Sequence, residues 1–224
     1  MTAVAVCLLT CDRLGYTQAT VASFLQLNPG APFLLLHGDD ASEDRRVPRF
    51  ARQAGFETVV QSSPGERVGV TRMVEQLAAE VVARGIDWML LLENDWLWVR
   101  PFPWALLEAC LREPWFRQLR LYGQFKELGG RKPCGTRHRG TGRPADWRPW
   151  AEAPEPAEVG HIHYGNPPSV VRSLDVLLLA RGAQSEAEMM KASGVGDGLT
   201  VRPCSPVVYH IGAARTPRRG GRAV

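Results

Sequence analysis

Asp87-Trp88-Met89-Leu90-Leu91-Leu92-Glu93-Asn94-Asp95 is the stretch on which the fold turns. The unbroken apolar run Trp88–Leu92 has strand length, and strands that are apolar throughout belong to sheets covered on both faces. The run then ends in acid. Glu93 and Asp95 are separated by one residue, so an extended backbone would send both carboxylates to the same side. Two carboxylates at a strand terminus suit a hard divalent cation such as Mg²⁺ or Mn²⁺, which takes oxygen ligands. The plain alternative is a solvated strand-to-loop corner.

Working upstream, Gly69–Arg84 has the clearest helical pattern in the chain. Val70, Met73, Val74, Leu77, Ala78, Val81 and Val82 recur at three- and four-residue intervals before Gly85. Glu57–Val60 predicts a short strand, and Glu43–Ala54 a helix closed by Gly55. Pro32–Leu36 predicts a strand running into His37-Gly38-Asp39-Asp40. Tyr16–Leu27 reads as an amphipathic helix stopped by Asn28-Pro29-Gly30, and Val4–Leu9 as a buried first strand opening into Thr10-Cys11-Asp12-Arg13. Strands alternating with helices predict parallel pairing. Three strands would then deliver polar, acid-bearing ends to one edge, where ligands bind in open α/β sheets.

Downstream the pattern is less regular. Trp104–Arg112 predicts a helix, Leu119–Gln124 a strand, Val170–Leu179 and Glu186–Ala192 helices, and Leu199–Val201 with Val207–Tyr209 short strands. Glu127–Pro156 is rich in Gly, Pro, Arg and Trp without either period, as a functional loop or an insertion would be. His161 and His163 lie two apart, but no further ligand has zinc-site spacing. Trp96, Trp98, Trp104, Trp115, Trp147 and Trp150 cluster after the acidic motif, mostly as core or loop anchors, with one or two suited to stacking on a sugar.

The 224 residues, 45% hydrophobic and 22% charged, fit one large domain with a sizeable core. No apolar run approaches the ~20 residues of a membrane span, and no basic leader precedes Val4, so the sequence predicts a cytoplasmic protein, peripheral to a membrane surface at most. The five cysteines are scattered, without a CxxC pair, and an odd total argues against a complete disulfide framework. Reduced thiols are therefore expected. The net charge of +4 concentrates in Lys126–Arg148 and Arg215–Arg222, which would suit nucleic acid, anionic lipid or a sugar diphosphate alike.

The N-terminal motifs resemble those of GT-A glycosyltransferases, in particular the family-2-like nucleotide-sugar transferases. Val4–Arg13 resembles that family's first strand and its Thr-x-x-Arg loop, and His37–Asp44 resembles its Asp-Asp-x-Ser-x-Asp stretch. Gly69-Val70-Thr71-Arg72 resembles its Arg-bearing third helix, and Trp88–Asp95 the strand carrying Asp-x-Asp, here Glu-Asn-Asp. The match covers about the first hundred residues in order. It implies a Rossmann-like, mostly parallel sheet with helices on both faces, residues 1–100 forming the donor half. Residues 101–214 would form the acceptor and catalytic half, and residues 215–224 a basic flexible tail.

By the same resemblance Thr10, Arg13, Asp39 or Asp40, Arg72 and Glu93 would lie at the nucleotide and its diphosphate. Asp95, Glu93 and His210 would hold Mn²⁺ or Mg²⁺. Glu where the family has Asp changes the geometry at position 93 but keeps an oxygen ligand. Ser185–Lys191 resembles the family's acidic helix start, which makes Glu186, with Glu188 in reserve, the general base for inverting transfer. A helix N-terminus also favours Glu for its dipole alone. The implied partners are a nucleotide-sugar donor, with UDP or GDP as carrier, and a saccharide, lipid-linked or protein acceptor. A nucleotidyltransferase is the enzymatic alternative, although Thr10–Gly15 lacks that class's glycine-rich basic loop. A non-catalytic module binding nucleic acid or glycan is the other, and no RNA or DNA motif supports a nucleic-acid partner.

Overall fold

The computed structural model describes residues 3–121, 148–160, 168–185, 188–189 and 199–211. The first four strands, β1 (Val4–Thr10), β2 (Phe33–Asp39), β3 (Glu57–Gln61) and β4 (Trp88–Glu93), are parallel and lie in the order β3-β2-β1-β4. Every residue of β1 is buried, because it is paired on both edges and covered on both faces. Five helices do the covering among the described residues: α1 (Leu14–Leu27), α2 (Arg46–Gln53), α3 (Val70–Ala83), α4 (Trp104–Leu111) and α5 (Ser173–Gly182).

Side-chain alternation along β1 divides the core in two. Val4, Val6 and Leu8 join Val21 and Phe24 of α1, Ala51 of α2 and Leu106 of α4. Ala5, Cys7 and Leu9 join Met73 and Leu77 of α3 and Val176 of α5. Gly38 allows α3 to close down on β2. A Cβ there would lie 2.8 Å from Sδ of Met73 and 3.1 Å from Cδ1 of Leu77.

The sheet continues past β4 through β6 (Phe116–Arg120), β7 (Arg148–Pro149), β8 (Ala157–Gly160), β9 (Ser169–Arg172) and β10 (Leu199–Pro203). The full order of the nine strands is β3-β2-β1-β4-β9-β6-β10-β8-β7. β10 runs parallel to β6, while β9 is antiparallel to β4 and β6, and β8 to β10 and β7. The sheet is thus mostly parallel in strand direction, as the resemblance implied. Two further strands, β5 (Trp96–Trp98) and β11 (Val208–His210), form a small antiparallel sheet of their own.

Several expectations need correction. Val170–Leu179 is not helical throughout: the chain is strand to Arg172 and helix from Ser173. Val170 and Val171 are β-branched and fill a slot between β4 and β6, which favours the pleated form. β4 stops at Glu93, and Asn94-Asp95 form a turn, so the two carboxylates are not alternate residues of one strand. The Asn94 amide donates to the backbone oxygen of Asp12 (3.1 Å) and to Oγ1 of Thr17 (3.2 Å), and so bends the chain. Cys7, Cys11 and Cys110 are free, but Cys204 is disulfide-bonded. An odd cysteine total argues against a full framework, not against a single bridge, and the redox argument for a reducing compartment loses its footing. Among the described residues no helix is long and apolar enough to cross a membrane.

Candidate active site

The parallel register brings the strand ends together. Thr10 lies opposite Asp39, and Leu9 opposite Glu93, so the loops leaving β1, β2 and β4 share one edge. The backbone is strained there. Asp12 (φ 56°), Arg13 (φ 58°) and Ala41 (φ 59°) are the non-glycine residues with positive φ among the described residues, and all three sit in these loops. Such conformations cost free energy and persist where surrounding contacts over-determine them.

Those contacts are visible. Oδ1 of Asp12 accepts the backbone N–H of Glu43 (2.7 Å), and its Oδ2 accepts Nη2 of Arg67 (2.7 Å). Its own N–H donates to Oγ of Ser42 at 2.8 Å. Asp40 accepts the N–H groups of Val68 (2.7 Å) and Gly69 (3.2 Å), fastening the start of α3 to the end of β2. Neither Asp12 nor Ser42 emerged from sequence reasoning as a site residue. Their work is loop-to-loop bonding, which has no sequence period.

Asp39 is closed off, at 1% exposure. Its Oδ1 accepts the hydroxyls of Thr10 (2.7 Å) and Ser42 (2.6 Å), and its Oδ2 accepts the Ser42 N–H (3.1 Å). Thr10 also meets Nε2 of His37 at 2.9 Å, while Nδ1 of His37 meets Oγ1 of Thr58 at 2.9 Å. Burial drives the His37 pKa down to about 4 against the pull of Asp39, so the ring is neutral at physiological pH.

Asp95 is built differently. Hydroxyls on α1 hold β5: Thr20 Oγ1 accepts the N–H of Trp96 (3.1 Å), and Ser23 Oγ that of Trp98 (3.0 Å). β11 pairs with β5, setting His210 opposite Trp96, and the Ile211 N–H donates to the Asp95 carbonyl at 2.8 Å. His210 thereby reaches the acid, with Nε2 3.3 Å from Oδ2 of Asp95 and its ring 4.8 Å from that of Trp96. Nη1 of Arg13 donates to the same Oδ2 at 3.1 Å. Oδ1 of Asp95 is buried and has no hydrogen-bond partner among the described residues.

No family model matches the chain, and no curated protein matches it. Solved structures do. Residues 1–349 of S. aureus TarS superpose with a TM-score of 0.59 at 12% identity, covering 94% of this chain and 60% of that one. A second structure of S. aureus TarS gives 0.57 at 13% identity, covering 94% of this chain and 36% of that one. The fold is GT-A. A lower-scoring likeness is the mannosyltransferase PcManGT from Pyrobaculum calidifontis in complex with GDP-Man and Mn²⁺, with a TM-score of 0.39, 15% identity, and coverage of 52% of this chain and 34% of that one. The chain therefore spans between about a third and three-fifths of the length of these structures.

Within this GT-A fold the sequence-predicted residues divide. Thr10, Arg13, Asp39, Asp40, Glu93, Asp95 and His210 gather at the carboxyl edge of β1, β2 and β4 or in the loops leaving it. Arg72 is in the first turn of α3, exposed and paired with Glu75 at 2.6 Å. Glu188 acts as a cap: Oε2 accepts the N–H of Gln184 (2.7 Å), while its own N–H donates to Oγ of Ser185 (3.3 Å). Glu186, His161, His163, the tail and nearly all of the basic Lys126–Arg148 stretch lie outside the described residues.

Proposed function

We propose that the chain is a metal-dependent glycosyltransferase moving a sugar from a UDP or GDP carrier to a hydroxyl acceptor, with inversion. The observation that carries the reading is the Asp95–His210 pair with its unpartnered Oδ1. Among the described residues no three or more His, Cys, Asp or Glu side chains cluster as a complete metal cage. A complete cage is not what this chemistry needs, because Mg²⁺ typically binds one or two carboxylates together with substrate phosphates. The carboxylate and the imidazole lie 3.3 Å apart, so both can reach a single ion. Asp95 and His210 would hold Mn²⁺ or Mg²⁺, with Glu93 beside them at the end of β4. When bound, the ion supplies Lewis-acid stabilisation to the departing diphosphate.

The chain's own residues supply the rest. Arg13 leads α1, whose amino end carries partial positive charge, and it would turn from Asp95 onto the diphosphate. Of the two acids ending β2, Asp40 is the better nucleotide contact: it is half-buried, and each of its oxygens accepts a single N–H. Asp39 and Thr10 would then position the loop, and Arg72 would approach the base or diphosphate from α3. Glu186 would take the proton from the acceptor hydroxyl as it attacks the anomeric carbon. The acceptor is a saccharide, a lipid-linked glycan or a protein.

The direct test is release of nucleoside diphosphate from UDP-, GDP-, CDP- and TDP-sugars with Mn²⁺ and mixed glycan acceptors. Metal-dependent release with one carrier, lost in Asp95→Ala, supports the proposal. Glu186→Gln should lose transfer while keeping nucleotide binding. Release that ignores both metal and Asp95, or no release with any donor, rejects it.

A further inference from the structure

A cavity of about 670 Å³ opens on the β6-β10-β8-β7 side of the nine-stranded sheet. Glu113 and Trp115 precede β6, and Leu199 begins β10, so these residues lie at the amino ends of strands whose carboxyl ends point towards the edge described above. Arg148 of β7, with Trp150 and Glu152 just after it, completes the wall. The volume lies within the ~300–1,000 Å³ range of small-ligand sites.

The lining has a definite chemical character. The Trp115 and Trp150 rings meet edge to face, with centroids 5.5 Å apart and planes at 78°. Trp150 is buried and serves as the support, while Trp115 is half-exposed and offers its ring to the cavity. Around this aromatic floor stand the carboxylates of Glu113 and Glu152 and the guanidinium of Arg148. Among the described residues none of these three makes a side-chain hydrogen bond or ion pair. Arg148 opposes a cationic ligand, and the two glutamates oppose an anionic one. Donors and acceptors together, over an aromatic face, match a neutral polyhydroxylated ring: hydroxyls bond to the charged groups, and the apolar C–H face lies on tryptophan.

We propose that this cavity is a saccharide-binding site separate from the transfer site, taking a neutral pyranose unit of an oligosaccharide. Its lining comes from the β6, β10, β8 and β7 region, whereas the carboxylates described above leave β2 and β4, so the two sites share no residue. The inference does not rest on the transferase reading, because a glycan site here stands whether or not the other edge transfers sugar.

The test is binding of the full chain to neutral cello-, malto-, manno- and chito-oligosaccharides, screened by array and measured by calorimetry on the tightest. Binding should weaken at least tenfold in Trp115→Ala and in Glu152→Gln, and should persist in Asp95→Ala. If Trp115→Ala does not fold, the exposed Glu152→Gln and Arg148→Ala decide alone. Tetramethylammonium and inorganic phosphate are run as competing chemistries. No binding of any neutral oligosaccharide, binding untouched by the cavity variants, or cavity-dependent binding of either ion instead of sugar overturns the proposal.

Discussion

The end of β2 and the turn after β4 each bury a carboxylate at the same sheet edge, Asp39 at 1% exposure and Asp95 at 8%. Asp39 is satisfied by the Thr10 and Ser42 hydroxyls and the Ser42 N–H, all from the loops that it joins. Asp95 shares one oxygen between Arg13 and His210, and its other oxygen has no partner among the described residues. A buried oxygen left unpaired costs free energy unless a water or a ligand completes it. Two acids that look alike in the sequence are thus held differently: Asp39 ties the loops together, and Asp95 is the one that the proposed reading assigns to a metal ion.

Stability separates the two most sharply. Asp39→Ala strands two hydroxyls and an N–H in a buried place, at roughly 1–3 kcal/mol for each unsatisfied group, so urea unfolding should register a loss of about 3 kcal/mol or more. Asp95→Ala removes an unsatisfied atom along with two contacts and should cost less than about 1 kcal/mol. Equal losses for the two variants would break the comparison.

His37 sharpens it through pH. Its pKa is about 4 when folded, against an ordinary value of 6.5. The unfolded chain therefore binds the proton first, and stability rises with pH across that window. The contribution is complete above pH 6.5 and falls by about 3 kcal/mol as pH drops towards 4. His37→Gln should flatten that part of the stability–pH curve, as read by denaturant melts at pH 4.5 and 7.

Gly38→Ala probes the same region by crowding. The added Cβ meets the flexible Met73 thioether first, and overpacking of this kind costs about 1–3 kcal/mol. In Gly38→Ala/Met73→Ala the shorter side chain removes that crowding, so adding Gly38→Ala should cost clearly less on a Met73→Ala background than on the wild type. An equal cost on both backgrounds would place the strain elsewhere.

The smallest effect lies at Arg13. A partly exposed ion pair contributes about 0.2–1 kcal/mol, and this one engages the Asp95 carboxylate that a cation would use. Arg13→Gln should tighten Mn²⁺ binding roughly two- to fivefold without nucleotide, measured by the free-Mn²⁺ electron paramagnetic resonance signal. Weaker binding would show that Arg13 supports the site and does not compete for it.

The first hundred residues were legible because their signals are local. Val4–Leu9 and Trp88–Leu92 are apolar runs, α3 has a clean helical period, and strand–helix alternation predicts parallel pairing. The second half was less so. β5, β7 and β8 are short strands that depend on partners distant in sequence, and β9 hides in a stretch whose composition also suits a helix. At the site, the convergence of Thr10, Asp39 and Glu93 followed from the topology. The division of labour between Asp39 and Asp95 did not, because it depends on Ser42, Arg13 and β11, whose contacts have no sequence pattern. Ser185-x-x-Glu188 is a capping-box signal present in the sequence; it accounts for the Glu188 N–H on Ser185 Oγ, while the carboxylate reaches one residue further back, to the Gln184 N–H.

The most direct measurement is thermal stabilisation by UDP, GDP, CDP and TDP, with and without Mn²⁺, in wild type and Asp95→Ala. The account predicts that one nucleoside diphosphate raises Tm only with the metal, and that Asp95→Ala folds normally but loses the shift. A metal-independent shift retained in Asp95→Ala, or no shift with any of the four on folded protein, would contradict it.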